Sequence, residues 1–213
     1  MRRVRRRPSV LALSLLIGLL AAVLWGGWSL REQRELADKV VRLHILANSD
    51  SEADQALKLQ VRDAVLARAE ELLQTSGRRS DAEGVLRRHL TELTQIAGAV
   101  VTAEGYDYPV TTELANTPFP SREYETFSLP AGMYLALRVI IGDGGGKNWW
   151  CVVFPPLCAQ STSDLAQTAM AAGLTDEDVK LISEAGEGYV LKFKSMELWN
   201  RLKQWLAENG AGG

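Results

Sequence analysis

The two cysteines of the chain, Cys151 and Cys158, lie in the segment KNWWCVVFPPLC. Together with His44 and His89 they could in principle supply the four ligands of a tetrahedral zinc site. The short ligand spacings of zinc sites and the C-x-x-C spacing of redox thiols are both absent, and the apolar surroundings offer no charge to stabilise a thiolate. The sequence therefore predicts no metal, no cofactor and no catalytic thiol.

A second group of candidate residues lies near the end of the first predicted strand: His44, Asn48, Asp50 and Asp54. An imidazole and carboxylates at this position could act as general acid and base. Asn48, Asp50 and Ser51 are also the residue types that the start of a helix requires. Helix capping is the preferred interpretation, and an extracytoplasmic hydrolase that uses His44 and Asp50 is the alternative.

The glycine-rich segment GDGGGKN, residues 142–148, resembles a phosphate-binding loop only loosely. Ile141 stands where the Walker A motif has its first glycine, and Asn148 stands where the motif has Ser or Thr. A strand pattern follows where the motif requires a helix. A hairpin loop between two strands is predicted instead.

Trp149 and Trp150 follow this loop in a predicted strand, so their side chains should point to opposite faces of the sheet. On a sheet covered on one face, at most one of the two indoles can lie in the core. The other would lie under the C-terminal helices or be exposed, and an exposed tryptophan beside Lys147 would be a strong contact for a partner.

The first 30 residues form a membrane-targeting pattern. The leading MRRVRRR contains five arginines and no acid, and residues 8–30 carry no charge. This apolar run is long enough to span a hydrocarbon core of roughly 30 Å, and the positive-inside rule then predicts export of the body. No good small-x-small cleavage site follows, so a cleaved signal peptide and an uncleaved signal anchor both stay open.

The exported body is predicted to be one acidic domain. Of the 24 basic residues, five lie in the leader, which leaves 19 against 26 acidic residues and a net charge of about −7. Nucleic-acid binding is disfavoured, because it requires clustered Lys and Arg. About 180 residues remain, which is enough for one domain with its own core.

Export bears on the two cysteines, because exported thiols meet oxidising conditions in which paired cysteines form disulfides. If Pro155 and Pro156 turn the chain back, Cys151 and Cys158 could pair, and closing so short a loop would stabilise the fold by about 2–3 kcal/mol. Two reduced cysteines buried in the core are the alternative.

The apolar periodicity predicts an α+β fold. Residues 40–47 read as a half-buried strand whose wetter face carries Arg42 and His44. A helix of about 23 residues follows, and a second helix from about Asp81 to Glu104 packs beside it as a helical hairpin that covers one face of the sheet. The opposite face of the first helix is predicted to be solvated: Lys58, Arg62, Asp63, Glu70 and Glu71.

From Tyr106 onward the period changes to two, and four strand-like segments separated by turn residues predict an antiparallel meander, so that the sheet is mainly antiparallel. The tail predicts helices from Ser163 to Ala172 and from Thr175 to Ala185, then a strand YVLKFKS and a last helix with Leu198, Leu202 and Trp205 on one face. The predicted organisation is a signal or anchor segment (1–30), an α+β domain (38–160) and a helical and strand extension packed on it (161–213).

Two long strings, VVRLHILANSDSEADQALKLQVRDAVL at 40–66 and SLPAGMYLALRVIIGDGGGKNWWCVVFPPLC at 128–158, together with the basic and apolar N-terminus, resemble the stage II sporulation protein R family. The resemblance is strong from about Val40 to Ala159 and faint beyond Ser161. It implies a signal that is made in the forespore and exported into the space between forespore and mother cell. There the family activates a membrane-embedded aspartic protease that processes pro-sigma-E during endospore formation.

The resemblance thus implies a ligand of a membrane protease and not an enzyme, and the apolar run predicts membrane contact through the N-terminal helix. A passive anchored scaffold is a third hypothesis besides the hydrolase. The resemblance transfers no catalytic residue. The conspicuous motif positions are candidate partner contacts: His44, Asn48, Asp50, Lys147, Asn148, Trp149 and Trp150.

Overall fold

The computed structural model describes residues 10–124, 126–157 and 164–183. Its helices are α1 (Val10–Ala37), α2 (Glu52–Leu73), α3 (Arg79–Ala103), α4 (Leu165–Ala171) and α5 (Asp176–Ser183). Its strands are β1 (Val41–Leu46), β2 (Val110–Phe119), β3 (Arg122–Glu123), β4 (Ser128–Leu129), β5 (Gly132–Ile141) and β6 (Asn148–Phe154). β3 and β4 form a small two-stranded sheet, and the other four strands form the main sheet. The predicted α+β class is confirmed.

The main sheet is mixed, so the predicted antiparallel meander is wrong, although two of its three strand pairs are antiparallel, as a mainly antiparallel sheet requires. The strand order is β2-β5-β1-β6, in which β1 runs parallel to β5 and antiparallel to β6. Because β1 lies between β5 and β6, the loop at residues 142–147 is not the predicted hairpin. Turn-forming glycines are typical of hairpin loops, so the local sequence indicates a hairpin here. The hairpin is excluded only because β1, which comes much earlier in the chain, pairs with both β5 and β6 and separates them.

The predicted helical hairpin is present and covers one face of the main sheet. Ser51 caps α2, because its side chain accepts a hydrogen bond from the Asp54 amide. Apolar side chains from one stripe of each helix are buried against β1, β5 and β6: Leu57, Val61 and Val65 from α2, and Leu86, Leu93 and Ala97 from α3. This packing fixes which face of β1 the helices cover.

The other face of the sheet is covered as well, so the expectation of a wet face on β1 is wrong. Arg42 is 0% exposed and His44 is 7% exposed. Both point away from the helical hairpin, as the alternation along a strand requires. They lie among residues of a second core that includes Leu36, Phe119, Tyr134, Leu165 and Ile182.

Two sets of predictions concern the ends of the chain. The sequence predicts that residues 8–30 span a membrane. Among the described parts of the chain, none of the helices combines the length and the apolarity needed to cross a bilayer.

α4 and α5 lie within the two helices predicted for the tail. The strand YVLKFKS, the last predicted helix and Cys158 lie outside the described residues, so the disulfide with Cys151 stays a prediction.

The loop at residues 142–147 crosses the end of β1 at very short range. β1 and β5 are parallel and end at the same edge of the sheet, so a loop from β5 to β6 must pass over β1. A Cβ atom on Gly146 would lie 2.2 Å from the carbonyl oxygen of Ser49, and one on Gly142 would lie 2.2 Å from Oδ1 of Asn48. The glycines of this segment therefore provide room for the crossing.

Gly146→Ala should lower the free energy of unfolding by about 1–3 kcal/mol, the usual cost of overpacking, because the atom in its way is backbone and cannot rotate aside. Gly98→Ala in α3 is the matched control. Nothing lies within 4 Å of a Cβ at Gly98, and alanine is favoured over glycine in a helix by about 1 kcal/mol, so this variant should be stabilised. Chemical denaturation measures both effects. A Gly146→Ala variant as stable as the wild type would contradict the close crossing.

Candidate partner-binding surface

Two loops meet where β1 ends, and we call them together the loop clamp: residues 47–51, between β1 and α2, and residues 142–147, between β5 and β6. Backbone amides of the second loop donate to carbonyl groups of the first: Gly145 N to Asn48 O at 3.2 Å, and Gly146 N to Ala47 O at 2.9 Å. These bonds satisfy backbone groups that the sheet and the helix leave unpaired at this edge. The clamp thereby fixes the point at which β6 begins.

Asn48 and Asp50 strengthen the clamp with their side chains and do not cap the helix. Oδ1 of Asn48 accepts a hydrogen bond from the Asp143 amide at 3.1 Å, and Oδ1 of Asp50 accepts one from the Lys147 amide at 2.6 Å. The predicted capping role falls to Ser51 alone among these candidates. Asn48 and Asp50 thus bind backbone amides, as residues that cap helices do, but these amides belong to a loop far along the chain.

Asp54 lies beneath the clamp and is 3% exposed. Its Oδ2 accepts hydrogen bonds from the Ser49 hydroxyl at 2.5 Å and from Nδ2 of Asn48 at 3.0 Å. The Ser49 bond, with smaller contributions from Asn48, Tyr108 and Ser51, lowers the pKa of Asp54, although burial acts in the opposite direction. The carboxylate is therefore ionised at neutral pH and ties the first turn of α2 to the loop before it.

Lys58 is 5% exposed, so the prediction that it lies on a solvated face is wrong. Its Nζ donates to Oε1 of Gln55 at 2.6 Å and to the carbonyl oxygen of Lys147 at 2.9 Å. Burial lowers the pKa of Lys58. The ammonium group thus joins α2 to the last residue of the clamp, immediately before β6.

His44 lies on β1 opposite Trp150 of β6. Its Nε2 hydrogen-bonds to Oδ1 of Asn148 at 2.9 Å. Burial lowers the pKa of His44, and the bond to Asn148 partly opposes this effect. Asp50 binds the Lys147 amide, so the two groups of the hydrolase alternative face different partners. In the described portion of the chain, no group of three or more His, Cys, Asp and Glu side chains could hold a metal ion.

Trp149 and Trp150 lie on opposite faces of β6, and both are half-buried. Each indole is stacked against an arginine: the guanidinium carbon of Arg62 lies 4.4 Å from the ring centroid of Trp149, and that of Arg122 lies 4.2 Å from the ring centroid of Trp150. Lys147 is exposed beside them. This end of the strand is therefore basic and aromatic, and we call it the β6 surface: Lys147, Asn148, Trp149, Trp150, Arg62 and Arg122.

Arg42 supports Trp150 from inside the second core, with aromatic neighbours. Its Nη2 donates to the hydroxyl of Tyr124 at 2.5 Å, and its guanidinium carbon lies 4.2 Å from the ring centroid of Phe119. Burial lowers the pKa of Arg42. The Tyr124 hydroxyl in turn donates to the carbonyl oxygen of Trp150 at 3.2 Å. This chain of contacts holds β6 from the face opposite the hairpin.

Comparison with known proteins identifies the family. The model of the stage II sporulation protein R family matches residues 37–164, which is more than half of the chain and includes the loop clamp. The chain belongs to the stage II sporulation protein R family. This confirms the resemblance found in the sequence. Over 123 residues the chain is 39% identical to the stage II sporulation protein R of Bacillus subtilis (strain 168). That match covers 58% of this chain and 55% of the relative, so the chain spans about half the length of the relative it matches. No solved structure matches the chain.

The structure brings the predicted contact residues of this family member together at one end of β1 and β6. Lys147, Asn148 and Asp50 are exposed, whereas His44 is buried. That these residues contact a partner stays a prediction. The roles of Lys58, Arg62 and Arg122 were not apparent from the sequence pattern. Arg62 lies one helical turn after Lys58, and this spacing could have indicated a shared basic face.

Asp54→Ala should lower the free energy of unfolding at pH 7 by about 2–3 kcal/mol, because it removes a buried charged acceptor and leaves its donors unpaired. Asp63→Ala is the control: the Asp63 side chain is 66% exposed and pairs with Arg62 on the same helix, so its loss should cost less than about 1 kcal/mol. Urea denaturation measures both values. Equal effects of the two substitutions would contradict the role assigned to Asp54.

The effect of Asp54→Asn should depend on pH. The folded protein holds the pKa of Asp54 below its usual value, which is about 3.9 in an unfolded chain. The stability that the carboxylate contributes is therefore present above that pH and is lost as the pH falls through the folded pKa. The difference in unfolding free energy between wild type and variant should be constant from pH 7 to about pH 5 and should shrink in stronger acid. A difference that grows in acid would contradict an ionised Asp54.

Proposed function

We propose that the chain is an exported signal of endospore formation. The forespore makes it, and it enters the space between forespore and mother cell, where it activates a membrane-embedded aspartic protease that processes pro-sigma-E. Membership of the stage II sporulation protein R family supports the sporulation role. The arginine-rich leader and the uncharged run that follows it at residues 8–30 support export. On this proposal the chain acts as a ligand and carries out no chemistry.

The β6 surface is the observation that carries the proposal. β6 is the outermost strand on its side of the described sheet, and its first two residues are exposed or half-buried beside the exposed Lys147. Tryptophan and arginine are the residue types that contribute most to binding at protein interfaces. The exposed Lys147 and Arg122 give this surface positive charges on an acidic body, which fits an acidic segment of the receptor.

Activation needs only a shift between two receptor states. A ligand favours the active state when it binds that state more tightly than the inactive one. A tenfold shift requires about 1.4 kcal/mol of differential affinity. Contacts of the two tryptophans and the cations beside them that form only with the active state would supply a difference of this size.

Reconstitution tests the proposal. The membrane protease, pro-sigma-E and the purified full chain are combined, and cleavage of pro-sigma-E is followed over time. Cleavage should depend on the added chain. The variant His44→Gln, Asp50→Asn removes the acid and base of the hydrolase alternative and should still stimulate cleavage. No stimulation by the wild-type chain would overturn the proposal, and loss of stimulation in a folded double variant that still binds the protease with wild-type affinity would favour the hydrolase.

Trp149→Ala and Trp150→Ala should each weaken receptor binding by about 2 kcal/mol, or roughly 30-fold in Kd, the size expected of a central aromatic contact. Lys147→Glu, an exposed site, should also weaken binding and should reduce its salt dependence. Met133→Ala is the control, because Met133 is 57% exposed but lies at the far end of β5. Titration calorimetry with thermal unfolding of each variant separates contact from misfolding. Unchanged affinity in all three β6-surface variants would exclude this surface.

Export predicts a disulfide between Cys151 and Cys158. Peptides from non-reduced chain, collected outside the cytoplasmic membrane and mapped by mass spectrometry, should contain the linked pair. The same chain expressed and held in a reducing cytoplasm should contain free thiols and serves as the control. Alkylated free cysteines in exported material would contradict the predicted pair.

A further inference from the structure

A cleft of about 400 Å³ opens between the end of α2, α4 and the segment that follows β6. It lies at the opposite end of β6 from the loop clamp. Its polar lining comes from Glu70, Gln74, Ser76, Gln167 and Thr168. Leu73, Phe154 and Pro156 supply an apolar wall. A cleft of this volume that combines an apolar wall with several polar groups has the properties of a small-ligand site.

Glu70 is the charged group of this cleft, and its carboxylate is only partly satisfied. Its Oε1 atom is out of contact with solvent and has no hydrogen-bond partner. Burial raises the pKa of Glu70. The next residue, Glu71, is exposed and pairs with Arg68 at 2.8 Å. Among the described residues that line the cleft, none is basic, so none of them balances the charge of this half-buried carboxylate.

We propose that the cleft binds an alkylammonium or guanidinium group. The cationic head pairs with Glu70, and its remaining N–H groups donate to the side-chain oxygens of Gln74, Ser76, Gln167 or Thr168. The aliphatic stem lies against the apolar wall formed by Leu73 and Phe154. An anion is disfavoured by the carboxylate, and a divalent metal would require more than one charged oxygen ligand. The proposal is independent of the β6 surface.

Such a cation could come from a small free amine or from a Lys or Arg side chain of another protein. The first probe is n-butylguanidinium, titrated into the full chain by calorimetry, with 1-butanol as its neutral match. The second is the peptide acetyl-Gly-Arg-Gly-amide. Tighter binding of the peptide than of butylguanidinium would identify a protein side chain as the source, and exclusion of the peptide would identify a free amine. Either outcome supports the cation site.

Glu70→Gln should weaken butylguanidinium binding at least tenfold, whereas Glu71→Gln, one residue away on the exposed face, should leave it unchanged. Ala171→Phe fills the cleft from α4 and should abolish binding while the carboxylate stays in place. Thermal unfolding in the absence of probe verifies that each variant is folded. Absence of butylguanidinium binding, equal binding by wild type and a folded Glu70→Gln variant, or equal binding of 1-butanol would each overturn the proposal.

Discussion

The close passage of Gly146 over Ser49 is the constraint on which the rest of the arrangement depends. β1 can lie between β5 and β6 only if the loop that joins those strands crosses its end, and the backbone there leaves no room for a side chain. Once the loop has crossed, its amides meet the carbonyl groups that follow β1. The same crossing sets the register in which Leu46 opposes Asn148, and so it positions both tryptophans of the β6 surface.

Buried charges beneath this crossing make it a cooperative unit. Asp54 and Lys58 are both almost fully buried, and each has hydrogen-bond partners in the loop clamp. A buried charge that loses its partners costs several kcal/mol, so partial opening of the clamp is disfavoured. The β6 surface is therefore preorganised before it meets a partner, and less conformational entropy is lost on binding.

Local patterns predicted the elements, and long-range pairing decided their arrangement. The apolar stripe with Leu86 and Leu93 predicted the helical hairpin, because i, i+3 and i+4 positions share a helix face. The alternation of apolar and polar residues predicted the strands, but it could not reveal that β1 pairs with β5. Arg42 and His44 predicted a wet face because of their polarity, yet the second core that covers them draws on residues from distant parts of the chain. For the candidate site, the sequence predicted the residues that cluster there. It did not predict that Lys58 is buried and joins α2 to the loop clamp.

Hydrogen–deuterium exchange of the full chain, with and without the extracytoplasmic part of the proposed receptor protease, tests whether the loop clamp presents residues 147–150 as a ready-made contact. If it does, the clamp amides should exchange slowly in the free chain, and binding should add protection at residues 147–150. Rapid exchange of the clamp in the free chain, or new protection confined to α3, would contradict it.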